Sequence, residues 1–214
     1  MSWFATAIIA GFTSFAATNI DDIIILMLFF AQVNSSFRPK HIVSGQYLGF
    51  TVLIIASLPG FFGGLIVPKA WIGLLGLLPI AIGITHLVNR EDEEKQVQEV
   101  PAGANRTHAI ASLFAPQTYQ VAAVTFANGG DNIGIYVPLF ASSDLASLGI
   151  ILSVFFLLIG VWCYIAYRLT RQPAVASVLT RYAKAIVPFV LIGLGIYILI
   201  ESGSYQLLPL FQSR

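Results

Sequence analysis

From Met1 to Phe37 the only charged residues are Asp21 and Asp22, and from Thr107 to Tyr167 the only ones are Asp131 and Asp144. Uncharged runs of that length are read as helices that cross a bilayer, each needing about 20 apolar residues to span the hydrocarbon. Only 10% of the chain is charged, against about 25% for a soluble domain. Such a chain cannot cover a water-facing surface, and a mean hydropathy of +0.83 agrees. The net charge of +1 forms no basic stripe, so nucleic acid is not an expected partner. No Lys or Arg precedes Arg38, so the first apolar segment lacks the basic start of a signal peptide and is expected to remain. Cys163, the one cysteine, has no disulfide partner in the chain and reads as a packed core residue.

Apolar runs between polar breaks predict six spans: Phe4–Val33, Ile42–Val67, Trp71–Val88, Tyr119–Ala141, Leu145–Tyr167 and Ala185–Ser202. The first is long enough to be tilted, broken or extended past the bilayer. Loops 1–2, 3–4 and 5–6 carry nine of the basic residues, and the other side has only Lys69 and Arg214. Because cytoplasmic loops hold the Lys/Arg excess, both termini are expected outside. Glu91, Asp92, Glu93, Glu94 and Glu99 make the 3–4 loop acidic, a solvated linker.

The two halves echo each other. A shift of 110 positions lays Asp21-Asp22-Ile23 on Asp131-Asn132-Ile133, and Ala17, Ile25, Phe30 and Ala31 on Ala127, Ile135, Phe140 and Ala141. Three spans per half force the second half to enter from the opposite side. The expected fold is therefore all-α: six transmembrane helices as two inverted three-helix repeats, residues 1–90 and 118–214, joined by a cytoplasmic linker at 91–117.

Asp21, Asp22 and Asp131 lie about ten residues before the ends of their runs, or roughly 15 Å, near mid-depth of a core about 30 Å thick. A charge there costs about 2.5–3.5 kcal/mol on the mildest scales. No Lys or Arg lies within a span to neutralise it. The partner must be a bound proton or a cation. Asn19, Asn128 and Asn132 flank the acids, and amide and carboxylate oxygens are metal ligands. Gly129-Gly130 invites a break in span 4 that would free backbone carbonyls as well. On a regular helix Asp21 and Asp22 point about 100° apart, so they share an ion only if span 1 is distorted. His86 reads as a packed or interfacial histidine, and Glu201 as a residue snorkelling to water. Gly45/Gly49 and Gly60/Gly64 fit close helix packing.

The segments Asn19-Ile20-Asp21-Asp22-Ile23 and Phe126-Ala127-Asn128-Gly129-Gly130-Asp131-Asn132-Ile133 resemble the cadmium resistance transporter family, a branch of the lysine-exporter superfamily of small six-span proteins. The resemblance implies efflux of a divalent metal across a plasma membrane, Cd²⁺ first. The metal is then a substrate, and no cofactor is expected. Oxygen ligands suit Mn²⁺, Ca²⁺ or Mg²⁺ better than soft Cd²⁺, and Met27 is the nearest sulfur. A Mn²⁺ or Zn²⁺ exporter, or an exporter of a small amino acid or organic cation, is the alternative. An enzyme is not expected: Gly129-Gly130-Asp131 is similar to intramembrane aspartyl proteases, but Asn128 stands where their motif has glycine. The chain has no phosphate-binding Gly-x-x-x-x-Gly-Lys loop. Expected partners are the bilayer, the divalent cation and protons, with homo-oligomer assembly open.

Overall fold

A computed structural model describes residues 3–88 and 116–207, so residues 91–115 of the expected linker lie outside it. Among the described residues there is no strand. The helices are α1 (Trp3–Asn19), α2 (Asp22–Ala31), α3 (Pro39–Ile66), α4 (Lys69–Ile72), α5 (Leu77–Val88), α6 (Pro116–Asn128), α7 (Gly130–Ser142), α8 (Leu145–Leu169) and α9 (Pro173–Glu201). A 3₁₀ turn at Gly73–Gly76 joins α4 to α5.

Local chemistry sets the ends. Pro39 opens α3, where its missing N–H costs nothing. Val67 is extended because Pro68 follows, and that stops α3. The Asp144 carboxylate accepts from the Ser147 N–H at 2.7 Å and caps α8, which holds that carboxyl below its usual range.

Three segments are long and apolar enough to cross a membrane: Pro39–Ile66, Lys69–Val88 and Leu145–Leu169. The α1–α2 pair, bent by 61°, is a fourth if it counts as one broken span. Leu65, Ile66, Leu157 and Phe189 are among the large apolar side chains left exposed, as lipid contact requires. The chain is a multi-pass membrane protein. Helix α9 starts twelve residues before the apolar run that marks it in the sequence. Hydropathy reads only the apolar part, whereas backbone hydrogen bonding carries the helix on through Arg181 and Lys184.

Packing follows glycine. A Cβ on Gly45 would lie 2.6 Å from the Thr118 carbonyl oxygen, and one on Gly49 would lie 2.7 Å from that of Ala122. Cβ atoms on Gly60 and Gly64 would strike the carbonyls of Val137 and Ala141. The numbers climb together, so α3 runs parallel to α6 and α7 and touches their backbone along its length. The same relation holds α8 against α1 and α2. Gly11 lies against Ile151 and Val154, and Phe30 meets Tyr167 with ring centroids 5.4 Å apart. Helices α5 and α9 are antiparallel, with Gly76 at the Gly195 carbonyl and Gly83 at that of Pro188. Each of these contacts joins the segment 3–88 to the segment 116–207. At the centre Phe15, Phe50, Tyr136 and Phe155, one each from α1, α3, α7 and α8, form an aromatic cluster with Tyr136 and Phe155 centroids 4.7 Å apart.

Candidate functional site

Two breaks build the site. The first falls at Ile20-Asp21 between α1 and α2, and the second at Gly129 between α6 and α7. At Gly129 a side chain would run into Leu53 of α3, so glycine lets the break approach its neighbour. Each break starts a new helix with a carboxylate in its first turn, Asp22 in α2 and Asp131 in α7. The positive end of a helix dipole is worth about 0.3–1 kcal/mol to such a charge, up to about 2 when partly buried. A charge at mid-membrane, the depth that the sequence leads one to expect for these acids, costs roughly 2.5–3.5 kcal/mol, of which that offsets only part.

The remainder falls to neighbours. Asn128, the last residue of α6, donates from Nδ2 to Asp22 Oδ1 at 2.6 Å. This bond ties the end of one broken helix to the start of the other. Asp131 Oδ1 accepts from the Asn132 N–H at 3.0 Å. Asp21, Asp22 and Asp131 lie within electrostatic reach of one another. Asp22 is buried, Asp21 half-buried, and Asn128 and Asp131 are exposed. Among the described residues no three His, Cys, Asp or Glu side chains converge closely enough to form a metal cage.

Asn19 and Asn132 sit in a neutral knot beside the acids. Both are 1% exposed. Asn19 Nδ2 donates to the Phe15 carbonyl at 2.9 Å, to Thr18 Oγ1 at 2.8 Å and to the Tyr136 hydroxyl at 3.0 Å. Asn132 Nδ2 reaches Asn19 Oδ1 at 3.4 Å, and Asn132 Oδ1 is buried with no hydrogen-bond partner. Trp162 of α8 donates its indole N–H at 2.8 Å to the Asn19 carbonyl, which the break has cut off from a helical partner.

Tyr136, Trp162 and the buried Gln46–Thr125 pair, 2.6 Å between side-chain oxygens, are missed by a reading of acids and asparagines alone. Their signal in the sequence is a hydrogen-bonding group inside an apolar run, which in hydrocarbon must find a partner. Trp162→Phe keeps the ring and removes the donor. Interhelical hydrogen bonds in membranes are worth roughly 0.6 kcal/mol on average and about 1.7 at most. The variant is expected to lose stability in that range in reversible unfolding from mixed micelles. Equal unfolding curves would mean that the Asn19 carbonyl has another partner.

A multi-pass membrane protein, helical throughout its described residues, in which two interrupted helices meet at a cluster of acids has a build found among transporters. The chain belongs to the cadmium resistance transporter family: the model of that family, described as "Cadmium resistance transporter", matches residues 15–211. No curated protein and no solved structure matches it.

Proposed function

We propose that the chain exports a divalent heavy-metal cation, Cd²⁺ foremost, across the plasma membrane in exchange for protons. Asp21, Asp22 and Asp131 bind the ion, helped by Asn19, Asn128 and Asn132. The observation that carries this reading is the Asn128–Asp22 bond, which brings the two broken helices together at the acids. The family supplies the metal.

The proposed frame is six spans in two inverted repeats, 1–90 and 118–214, with the linker 91–117 in the cytoplasm and both termini outside. Packing supports it. α3 pairs with the broken α6–α7, α8 pairs with the broken α1–α2, and α5 pairs with α9. Exchange the two halves and the list of pairs is unchanged. The running directions, parallel for the first two pairings and antiparallel for the third, are those of six spans alternating across a bilayer.

A divalent cation leaving a cell held at 100 mV inside-negative climbs roughly twice the 2.3 kcal/mol due to one charge. With no ATP-binding loop, another gradient must drive it. A desolvated carboxyl group holds a proton until a metal displaces it, so the same acids serve both ions. In proteoliposomes with a pH dye inside, an imposed proton gradient is expected to move Cd²⁺ uphill, with internal pH shifting the opposite way. Flux that follows voltage and ignores the pH gradient would end the antiport reading. Competition by Zn²⁺, Mn²⁺ and lysine in the same vesicles separates the alternative substrates.

A further inference from the structure

A site of oxygen donors has a selectivity problem. Carboxylates and amides suit Mg²⁺, Ca²⁺ and Mn²⁺, while Zn²⁺ and Cd²⁺ gain from imidazole or sulfur. Cys163 is buried in the hydrophobic core. The helix that follows the 3₁₀ turn offers a better donor.

Helix α5 comes back along α7. α4 and the 3₁₀ turn lie against α7, and α3, which ends just before them, has its last turn on Ala141 near the end of α7. From there α5 runs antiparallel to α7. One contact fixes the register: a Cβ on Gly134 would lie 3.1 Å from Ile82 Cδ1. Four residues on from Ile82, about 6 Å along the axis and on the same face, stands His86. Three residues back from Gly134, about 4.5 Å along the opposite direction, stands Asp131. The two side chains thus come to the same level on facing helices. His86 lies within electrostatic reach of Asp131. His86 is half-buried and Asp131 exposed, so neither is sealed into packed core. Next along the chain, the buried Asn132 Oδ1 has no hydrogen-bond partner.

We propose that His86 is a metal-binding, specificity-determining residue: its imidazole joins Asp131 on the transported ion and biases the site toward Zn²⁺ and Cd²⁺ over Mg²⁺, Ca²⁺ and Mn²⁺. This rests on the reading of Asp131 as a ligand. Imidazole would stand as one nitrogen donor among carboxylate and amide oxygens. It also assigns a task to a histidine that the sequence alone leaves as packing.

The test uses proteoliposomes of the full chain in a His41→Gln, His108→Gln background, where His86 is the only imidazole left. His86→Gln keeps a polar side chain and removes the nitrogen donor. Half-saturating Cd²⁺ and Zn²⁺ are expected to rise by roughly 10–100-fold, the loss seen even when an outer partner of a metal ligand is removed. Mn²⁺ half-saturation is expected to hold. His86→Cys, with a softer thiolate, is expected to restore the preference for Cd²⁺ over Mn²⁺. An unchanged Cd²⁺-to-Mn²⁺ ratio in His86→Gln, or a cysteine variant no better than glutamine, overturns the proposal. If the variants fail to insert, X-ray absorption on the Zn²⁺-loaded background protein decides: imidazole scattering supports the proposal and an oxygen-only shell overturns it. Asp131→Asn runs beside these. Loss of flux for every ion there leaves the transport site standing whatever His86 does, whereas normal flux removes the site reading itself.

Discussion

Asp22→Asn and Asp131→Asn are each expected to abolish Cd²⁺ transport and leave a folded, membrane-inserted protein. Asparagine has the size of aspartate and keeps an oxygen that can accept from Asn128 Nδ2 or the Asn132 N–H, the bonds that the two acids make. What it removes is the charge. If a bound cation offsets the roughly 2.5–3.5 kcal/mol cost of that charge at mid-depth, losing it lowers affinity by about two orders of magnitude, at tenfold per 1.4 kcal/mol. The folded state moves the other way. An uncharged amide needs no cation to compensate it, so thermal stability in detergent without metal is expected to hold or rise. Radiolabelled Cd²⁺ uptake and a thermal melt on the same preparations read both effects. Full uptake by Asp131→Asn would show that the site has been misplaced. Lost uptake with a collapsed melt would show that the carboxylate serves the fold.

Gly64→Ala is expected to unseat α3 from α7, while Gly63→Ala, one residue earlier, is expected to be nearly silent. A Cβ on Gly64 strikes the Ala141 carbonyl, whereas one on Gly63 meets nothing within 4 Å. The obstacle at Gly64 is backbone on both sides, so no side chain can swing away and the helices must part. Overpacking of a core costs about 1–3 kcal/mol, and a rigid backbone contact belongs at the upper end. Gly60→Ala adds a second collision, at Val137, and the double variant is expected to fall out of the monodisperse peak in size-exclusion chromatography. Equal melts for the variants at positions 63 and 64 would show that α3 does not lie on α7 as described.

The apolar runs, and the acids that interrupt them, are legible because hydrocarbon forbids both an uncompensated charge and an unpaired backbone group. The interruption at Gly129 was legible for a similar reason, since paired glycines weaken a helix where little else holds it. Asp21-Asp22 gave only a condition, that span 1 be distorted for the two to share an ion, and the 61° bend between α1 and α2 is such a distortion. Partner choice was not legible. Gly45, Gly49, Gly60 and Gly64 mark the face of α3 that packs, yet nothing in them says that the other side is α6 and α7. Apolar side chains are as content with lipid as with each other, so hydropathy carries no pairing information. For the same reason Tyr136 and Trp162 pass for bulk apolar residues until Asn19 is found between them.

The cross-pairing of helices bears on how the protein is made. While residues 3–88 enter the membrane, α6, α7, α8 and α9, against which α3, α1–α2 and α5 pack, are still unmade. The glycine face of α3 must wait in lipid, and Asn19 lacks both Trp162 and Tyr136. Insertion and assembly are therefore separate events, and the second waits for the last helix to leave the ribosome. Synthesised alone, the first half would lack most of the helix contacts it makes in the whole protein, and the two halves made as separate chains would have to meet in the same membrane to regain them.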